Sequence, residues 1–150
     1  MSNRTGFTLV EILIVVIILG ILAAIVIPQF TEASQDARES ALVSDLQTFR
    51  SQIELYKIQH KDALPGAGTA SFVAAMTGQT DIDGAVGTDY GPYLQKMPTN
   101  PFNNLDTVTV EAGVGSLGDD STGWHFNTSN GQVHANDDDS TSDGTAHTAL

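Results

Sequence analysis

The chain has 150 residues, a formal net charge of −12 and no cysteine. The lack of cysteine excludes disulfides, thiolate catalysis and cysteine-based metal sites. The negative charge disfavours nucleic acid as a partner, because an acidic surface repels a phosphate backbone.

The amino-terminal part of the chain is an apolar run that starts directly behind a glycine. Within residues 7–27 the only charged side chain is that of Glu11. As a helix this run would be about 31 Å long, which matches a bilayer hydrocarbon core of about 30 Å. An ionised acid costs roughly 2.5–3.5 kcal/mol at the bilayer centre and less near the interface. We therefore predict a membrane-spanning helix whose single acid requires a partner.

Residues 6–11, Gly-Phe-Thr-Leu-Val-Glu, resemble the amino-terminal segment of type IV pilins, including the pseudopilins of type II secretion. In an ordinary secretory signal the small-residue cleavage site follows the apolar run, whereas Gly6 precedes it here. The resemblance implies that a prepilin peptidase cuts after Gly6, which makes residues 1–6 a leader, and methylates Phe7. It also implies that Thr8 and Glu11 serve assembly, with Glu11 facing the freed amine of a neighbouring subunit.

The apolar segment, residues 7–28, and an amphipathic segment, residues 29–62, are predicted to contain one long helix, from about residue 7 to about residue 60. Pro28 has no amide hydrogen and is predicted to bend it. In pilin filaments the corresponding stretch loses helicity, so the resemblance makes Gly20 and Pro28 candidate sites of local melting, with a static kink as the alternative. The sequence Leu-Pro-Gly at residues 64–66 is predicted to end the helix. Beyond Pro28, apolar side chains recur at steps of four and three, the spacing of one helix face: Leu42, Leu46, Phe49, Ile53 and Tyr56.

Residues 63–136 are predicted to form a globular region of loops and strands. The apolar patch at residues 70–76 suggests one or two helical turns, and alternation over residues 105–111 predicts a strand. Asn130-Gly131 predicts a two-residue hairpin turn in which Phe126 pairs with Ala135. One face of this hairpin would hold Trp124, Phe126, Val133 and Ala135, and the outward face His125, Asn127, His134 and Asn136. The predicted fold class is therefore α+β, a long kinked helix on a small antiparallel sheet, as in pilins.

Two further segments bear on the kind of filament. Residues 90–102 resemble a segment of major pseudopilins that reads roughly G-P-Y-L-x-x-L-P-x-D-P-W and packs between helix and sheet. This chain has Asn100 and Phe102 where that family usually has Asp and Trp. Residues 137–150 are acidic, rich in Ser and Thr and without apolar pattern, which predicts a mobile tail. The first segment favours a secretion pseudopilus and the second suits a surface pilus equally well.

Calcium is the candidate cation, because the resemblance to secretion pseudopilins implies a calcium site near the carboxyl end. Asp119, Asp120 and Asp137 offer the hard oxygen ligands that calcium prefers, and solvated acids are the alternative. His125 and His134 share the outward hairpin face, but no third metal ligand accompanies them.

The function predicted from the sequence is that of a structural filament subunit, not an enzyme, because no catalytic motif is present. Its expected partners are further copies of itself, prepilin peptidase, an inner-membrane assembly platform and minor pilins. It would start as a single-pass inner-membrane precursor and end in an extracellular or periplasm-spanning filament. The alternative is a single-span membrane protein that displays a binding domain for calcium or carbohydrate, keeps its leader and does not polymerise.

Overall fold

The structure, a computed structural model, describes residues 6–150, and residues 1–5 of the predicted leader lie outside the described residues. Contacts divide the chain into two compact units, of which the first ends at Ala37 and the second is Arg38–Leu150. In chain order the elements are α1 (Leu9–Gln59), α2 (Phe72–Thr77), β1 (Val108–Glu111), β2 (Trp124–Asn127), β3 (Val133–Ala135) and a 3-10 helix (His147–Ala149).

The predicted long helix is confirmed as α1, which continues through both Gly20 and Pro28. Its amino-terminal part has a mean hydropathy of 3.3 over its most apolar 18 residues, and none of them is buried. By length and composition this part of α1 is able to cross a membrane. Local melting around Gly20 and Pro28 stays a prediction.

The helix ends at Gln59, close to the predicted end at about residue 60. Lys61 and Asp62 adopt left-handed backbone conformations, with φ of 56° and 63°. The amide of Asp62 donates a hydrogen bond to the carbonyl of Lys57 at 2.9 Å, a pattern that closes the end of a helix. The chain therefore leaves the helix before it reaches the Leu-Pro-Gly sequence at residues 64–66.

The core of the second unit forms where the apolar stripe of α1 meets the sheet. All five predicted stripe residues are at most 1% exposed, and the Phe49 ring lies 5.1 Å from the Trp124 ring in an edge-on contact. The predicted helical turns at residues 70–76 correspond to α2, which contributes Phe72 and Met76 to the same core. Tyr93, Leu94 and Met97, from the pseudopilin-like segment, complete it.

The sheet is mixed, with strand order β1-β2-β3. Strands β2 and β3 are antiparallel, but β1 and β2 are parallel, so the prediction of an antiparallel sheet was wrong for this pair. Parallel neighbours need a long crossover, and residues 112–123 provide it.

The hairpin has a different register from the predicted one. Phe126 pairs with Val133, not with Ala135. The amide of Asn127 donates to the carbonyl of Gln132 at 2.9 Å, which leaves residues 128–131 as the loop. A two-residue type I′ turn needs positive φ at both central residues, and of the Asn-Gly pair only Gly131 has it, at 76°.

One hairpin face was predicted correctly and the other was not. Trp124, Phe126, Val133 and Ala135 are all fully buried in the core. The opposite face is covered too, since His125 and Asn136 are 0% exposed.

The cover of this second face includes residues 137–150, which were predicted to be a mobile tail. Ser140 forms a β-bridge with Ala146, and the carbonyl of Thr148 lies 2.9 Å from Nδ1 of His134. A guanidinium nitrogen of Arg50 donates to the carbonyl of Leu150 at 2.5 Å. The segment is thus folded through polar contacts, which an apolar pattern cannot reveal.

The carboxylate of Glu111 connects the end of β1 to the buried His125 of β2. Its Oε1 lies 2.9 Å from Nε2 of His125 and accepts the amide of Ser116 at 2.8 Å. The hydrogen bond from His125, followed by that from the Ser116 amide, lowers the pKa of Glu111 below its ordinary 4.5. The ionised form of Glu111 is therefore favoured by folding.

We expect Glu111→Gln to reduce the acid sensitivity of the fold. A carboxyl with a depressed folded pKa contributes stability above its unfolded pKa, and this contribution is lost as pH falls through the folded pKa. The wild type should exceed the variant in stability near neutral pH, and the difference should shrink below about pH 4.5. Urea unfolding followed by Trp124 fluorescence at several pH values measures this. Asp106→Asn, at an exposed acid, is the control, and a difference independent of pH would contradict the prediction.

Candidate assembly site at the amino-terminal end of α1

The first turn of α1 is closed by a reciprocal pair of side chains. Thr8 stands directly before the first helical residue, and its hydroxyl oxygen accepts the amide of Glu11 at 3.2 Å. In return, Oε2 of Glu11 accepts the amide and the hydroxyl of Thr8, each at 2.8 Å. This is a capping box, which satisfies amide groups that have no partner inside the helix.

The role predicted for Glu11 was limited to contacts between subunits, and its role within its own chain was missed. The signal was present, because a Thr followed three residues later by a Glu is the sequence signature of a capping box. The box holds the carboxylate at the amino-terminal end of α1, where the helix dipole favours negative charge. Thr8, which the resemblance assigned to assembly, therefore positions Glu11.

The predicted cleavage point lies beside this box and is accessible. Phe7 is 82% exposed. A Cβ built on Gly6 would have no described atom within 4 Å. The fold of the described chain therefore imposes no need for glycine at this position.

The apolar side chains that follow Glu11 have no cover inside the chain. Every Ile, Leu and Val from Ile12 to Ile27 is at least 43% exposed. Exposed apolar surface of this extent requires lipid or other helices around it.

The structure does not gather the three calcium candidates into one group. Asp119 accepts a side-chain N–H of Asn136 at 2.9 Å, and Asp120 accepts one from Asn103, also at 2.9 Å. Asp137 is 1% exposed and accepts a hydrogen bond from the side chain of Asn100. Across residues 6–150, no three His, Asp or Glu side chains are arranged to hold a metal ion. His125 and His134 lie directly opposite each other in the hairpin.

Comparison with known proteins connects this site to a family. The family described as the prokaryotic N-terminal methylation motif matches residues 1–27. Type II secretion system core protein G of Pseudomonas aeruginosa is 33% identical over 104 residues, 68% of this chain and 70% of that protein. The protein of the same name from Escherichia coli is 30% identical over 115 residues, 75% of each chain. No solved structure matches. The chain therefore belongs to the type II secretion system core protein G family, the major pseudopilins.

Proposed function

We propose that this protein is the structural subunit of a type II secretion pseudopilus. It would be cleaved after Gly6, methylated at Phe7 and assembled into a helical filament through its amino-terminal helices. The observation that carries this proposal is an apolar helix, exposed on all sides, directly behind a methylation motif.

The energetics of assembly follow from the exposed helix surface. Lipid covers the apolar side chains of α1 in the membrane-anchored precursor. Neighbouring helices cover them in the filament, so little apolar surface meets water at either stage. Because hydrophobic burial is nearly equal in the two states, packing and specific polar pairs must supply direction and register.

Glu11 supplies the polar pair in this proposal. Its capping bonds use Oε2, and within the part of the chain that the structure describes no hydrogen bond is made to Oε1. The carboxylate is thus able to meet the terminal amine of an adjacent subunit while it still caps Thr8. An ion pair at membrane depth is strong enough to select one subunit arrangement, because isolated charges there are costly.

The partners and locations follow the proposed cycle. Prepilin peptidase would recognise the exposed Gly6–Phe7 peptide bond, and an inner-membrane platform with minor pilins would start the filament. The precursor would lie in the inner membrane, and the assembled filament would span the periplasm. The names of the relatives favour secretion over a surface pilus.

We expect Gly6→Val to retain the leader and to form no filaments. The structure offers open space at Gly6, so folding should be unaffected and the loss should arise at the peptidase. The intact mass of the purified protein measures cleavage and methylation together. Gly20→Ala is the matched control, since a Cβ there also meets nothing within 4 Å, and it should be processed normally. Normal cleavage of Gly6→Val would contradict the role of Gly6.

Deletion of the gene tests the wider function. Loss of exoprotein secretion supports a pseudopilus, whereas loss of surface fibres with intact secretion supports a surface pilus. An uncut leader on the native protein, with no polymer, would support the membrane-anchored binding protein instead.

A further inference from the structure

The carboxylate of Asp137 lies buried at the centre of a hydrogen-bond network. Its Oδ1 lies 2.5 Å from Nδ1 of His147 and accepts the amide of Asp139 at 3.2 Å. Its Oδ2 accepts a side-chain N–H of Asn100 at 2.6 Å. Asp137 and His147 are both at most 1% exposed. Both carboxylate oxygens are therefore occupied by nitrogen groups of the protein.

This arrangement does not fit calcium, which takes six to eight oxygen ligands. The amide hydrogens from Asn100 and Asp139 point at the lone pairs that a cation would need. Asp119 is occupied in the same way, because its Oδ1 accepts the amide and hydroxyl of Ser121 at 3.0 and 2.6 Å. These carboxylates accept hydrogen bonds from N–H and O–H groups, so they belong to a hydrogen-bond network and not to a cation site.

The network joins three segments that are distant in sequence. Asn100 belongs to the pseudopilin-like segment and also donates to the carbonyl of Gly123 at 2.9 Å. Asp137 follows β3, and His147 begins the 3-10 helix. The His147 ring packs against Phe102, with ring centres 4.1 Å apart. Among the described residues Nε2 of His147 has no hydrogen-bond partner, so Asp137 is the polar contact that holds this ring.

Position 100 decides whether such a network is feasible. A carboxylate here would face Asp137 at hydrogen-bond distance, and two like charges in a buried site require a proton or a cation between them. The amide of Asn100 offers an N–H donor to Asp137 and, through its oxygen, accepts the amide of Phe102 at 2.9 Å. No additional positive ion is needed to join these segments.

Two contacts with α1 hold the rest of the carboxyl-terminal segment. Glu39 accepts the amide of Ser142 at 2.7 Å, and Arg50 donates to the carbonyl of Leu150. The segment is thus attached at its start, its middle and its end.

We propose that this chain fastens its carboxyl-terminal segment, residues 137–150, with the Asn100–Asp137–His147 network in place of a bound calcium ion. The fold of the second unit is then independent of calcium. This inference does not depend on whether the chain polymerises.

The first test needs no variant. The full-length protein in detergent is unfolded by heat with millimolar calcium chloride or with a chelator, and Trp124 fluorescence reports the transition. We expect the same midpoint in both conditions. If calcium raised the midpoint of the wild type but not that of Asp137→Asn, the proposal would be overturned.

The second test measures how firmly the carboxyl-terminal segment is held, by amide hydrogen exchange of peptides from residues 138–150. His147→Phe keeps a ring against Phe102 but removes the bond to Asp137, and exchange should accelerate by about tenfold or more. Asp138→Asn is the matched control, because this exposed acid is adjacent in sequence but outside the network, and its exchange should be unchanged. Unchanged exchange in His147→Phe would overturn the proposal.

Discussion

Glu11→Ala should abolish filaments while it leaves leader cleavage and membrane insertion intact. Phe7 is 82% exposed, and a Cβ at Gly6 would meet no described atom within 4 Å, so the cleavage point is open without help from Glu11. In the proposed pairing, however, removal of the carboxylate would leave the neighbouring subunit's amine without a partner at membrane depth. Electron microscopy measures filaments, and intact mass measures cleavage and methylation.

The capping box makes it necessary to separate two roles of Glu11. Glu11→Gln retains a side chain that completes a capping box but removes the charge. If the intermolecular ion pair is essential, Glu11→Gln should fail to assemble as Glu11→Ala does. Glu32→Ala, at an exposed acid on the same helix, is the control and should form normal filaments. Normal fibres from Glu11→Ala would refute the pairing.

Phe49→Ala should destabilise the second unit by about 3–5 kcal/mol, the usual cost of removing a buried Phe. Phe49 is fully buried, and its ring meets the only Trp of the chain, Trp124. Since small domains have about 5–15 kcal/mol of stability in total, this loss should populate unfolded protein under mild conditions. Urea unfolding followed by Trp124 fluorescence measures it.

Ile58→Ala provides the comparison on the same helix. Ile58 is 77% exposed, so its truncation should change stability by no more than about 0.5 kcal/mol. Equal effects of the two substitutions would mean that the stripe of α1 does not form the core as described.

Local patterns predicted the helical parts of this protein well. The steps of four and three from Leu42 to Tyr56 identified the buried face of α1 because a helix brings such residues together without help from distant segments. The alternation around Trp124 and Val133 identified the core face of the hairpin for the same reason. The capping box of Thr8 and Glu11 was equally local and equally readable, although it was missed.

The sequence by itself therefore determined the long apolar helix with its single acid, the stripe on α1 and the core face of the hairpin, all of which depend on neighbours a few residues apart. The tertiary structure alone decided the parallel pairing of β1 with β2, the hairpin register and the burial of His125. It also decided that Asp137 meets Asn100 and His147, which come from separate segments of the chain. Such contacts depend on where the fold brings distant residues together, and polar residues that pack through hydrogen bonds leave no periodic pattern in the sequence.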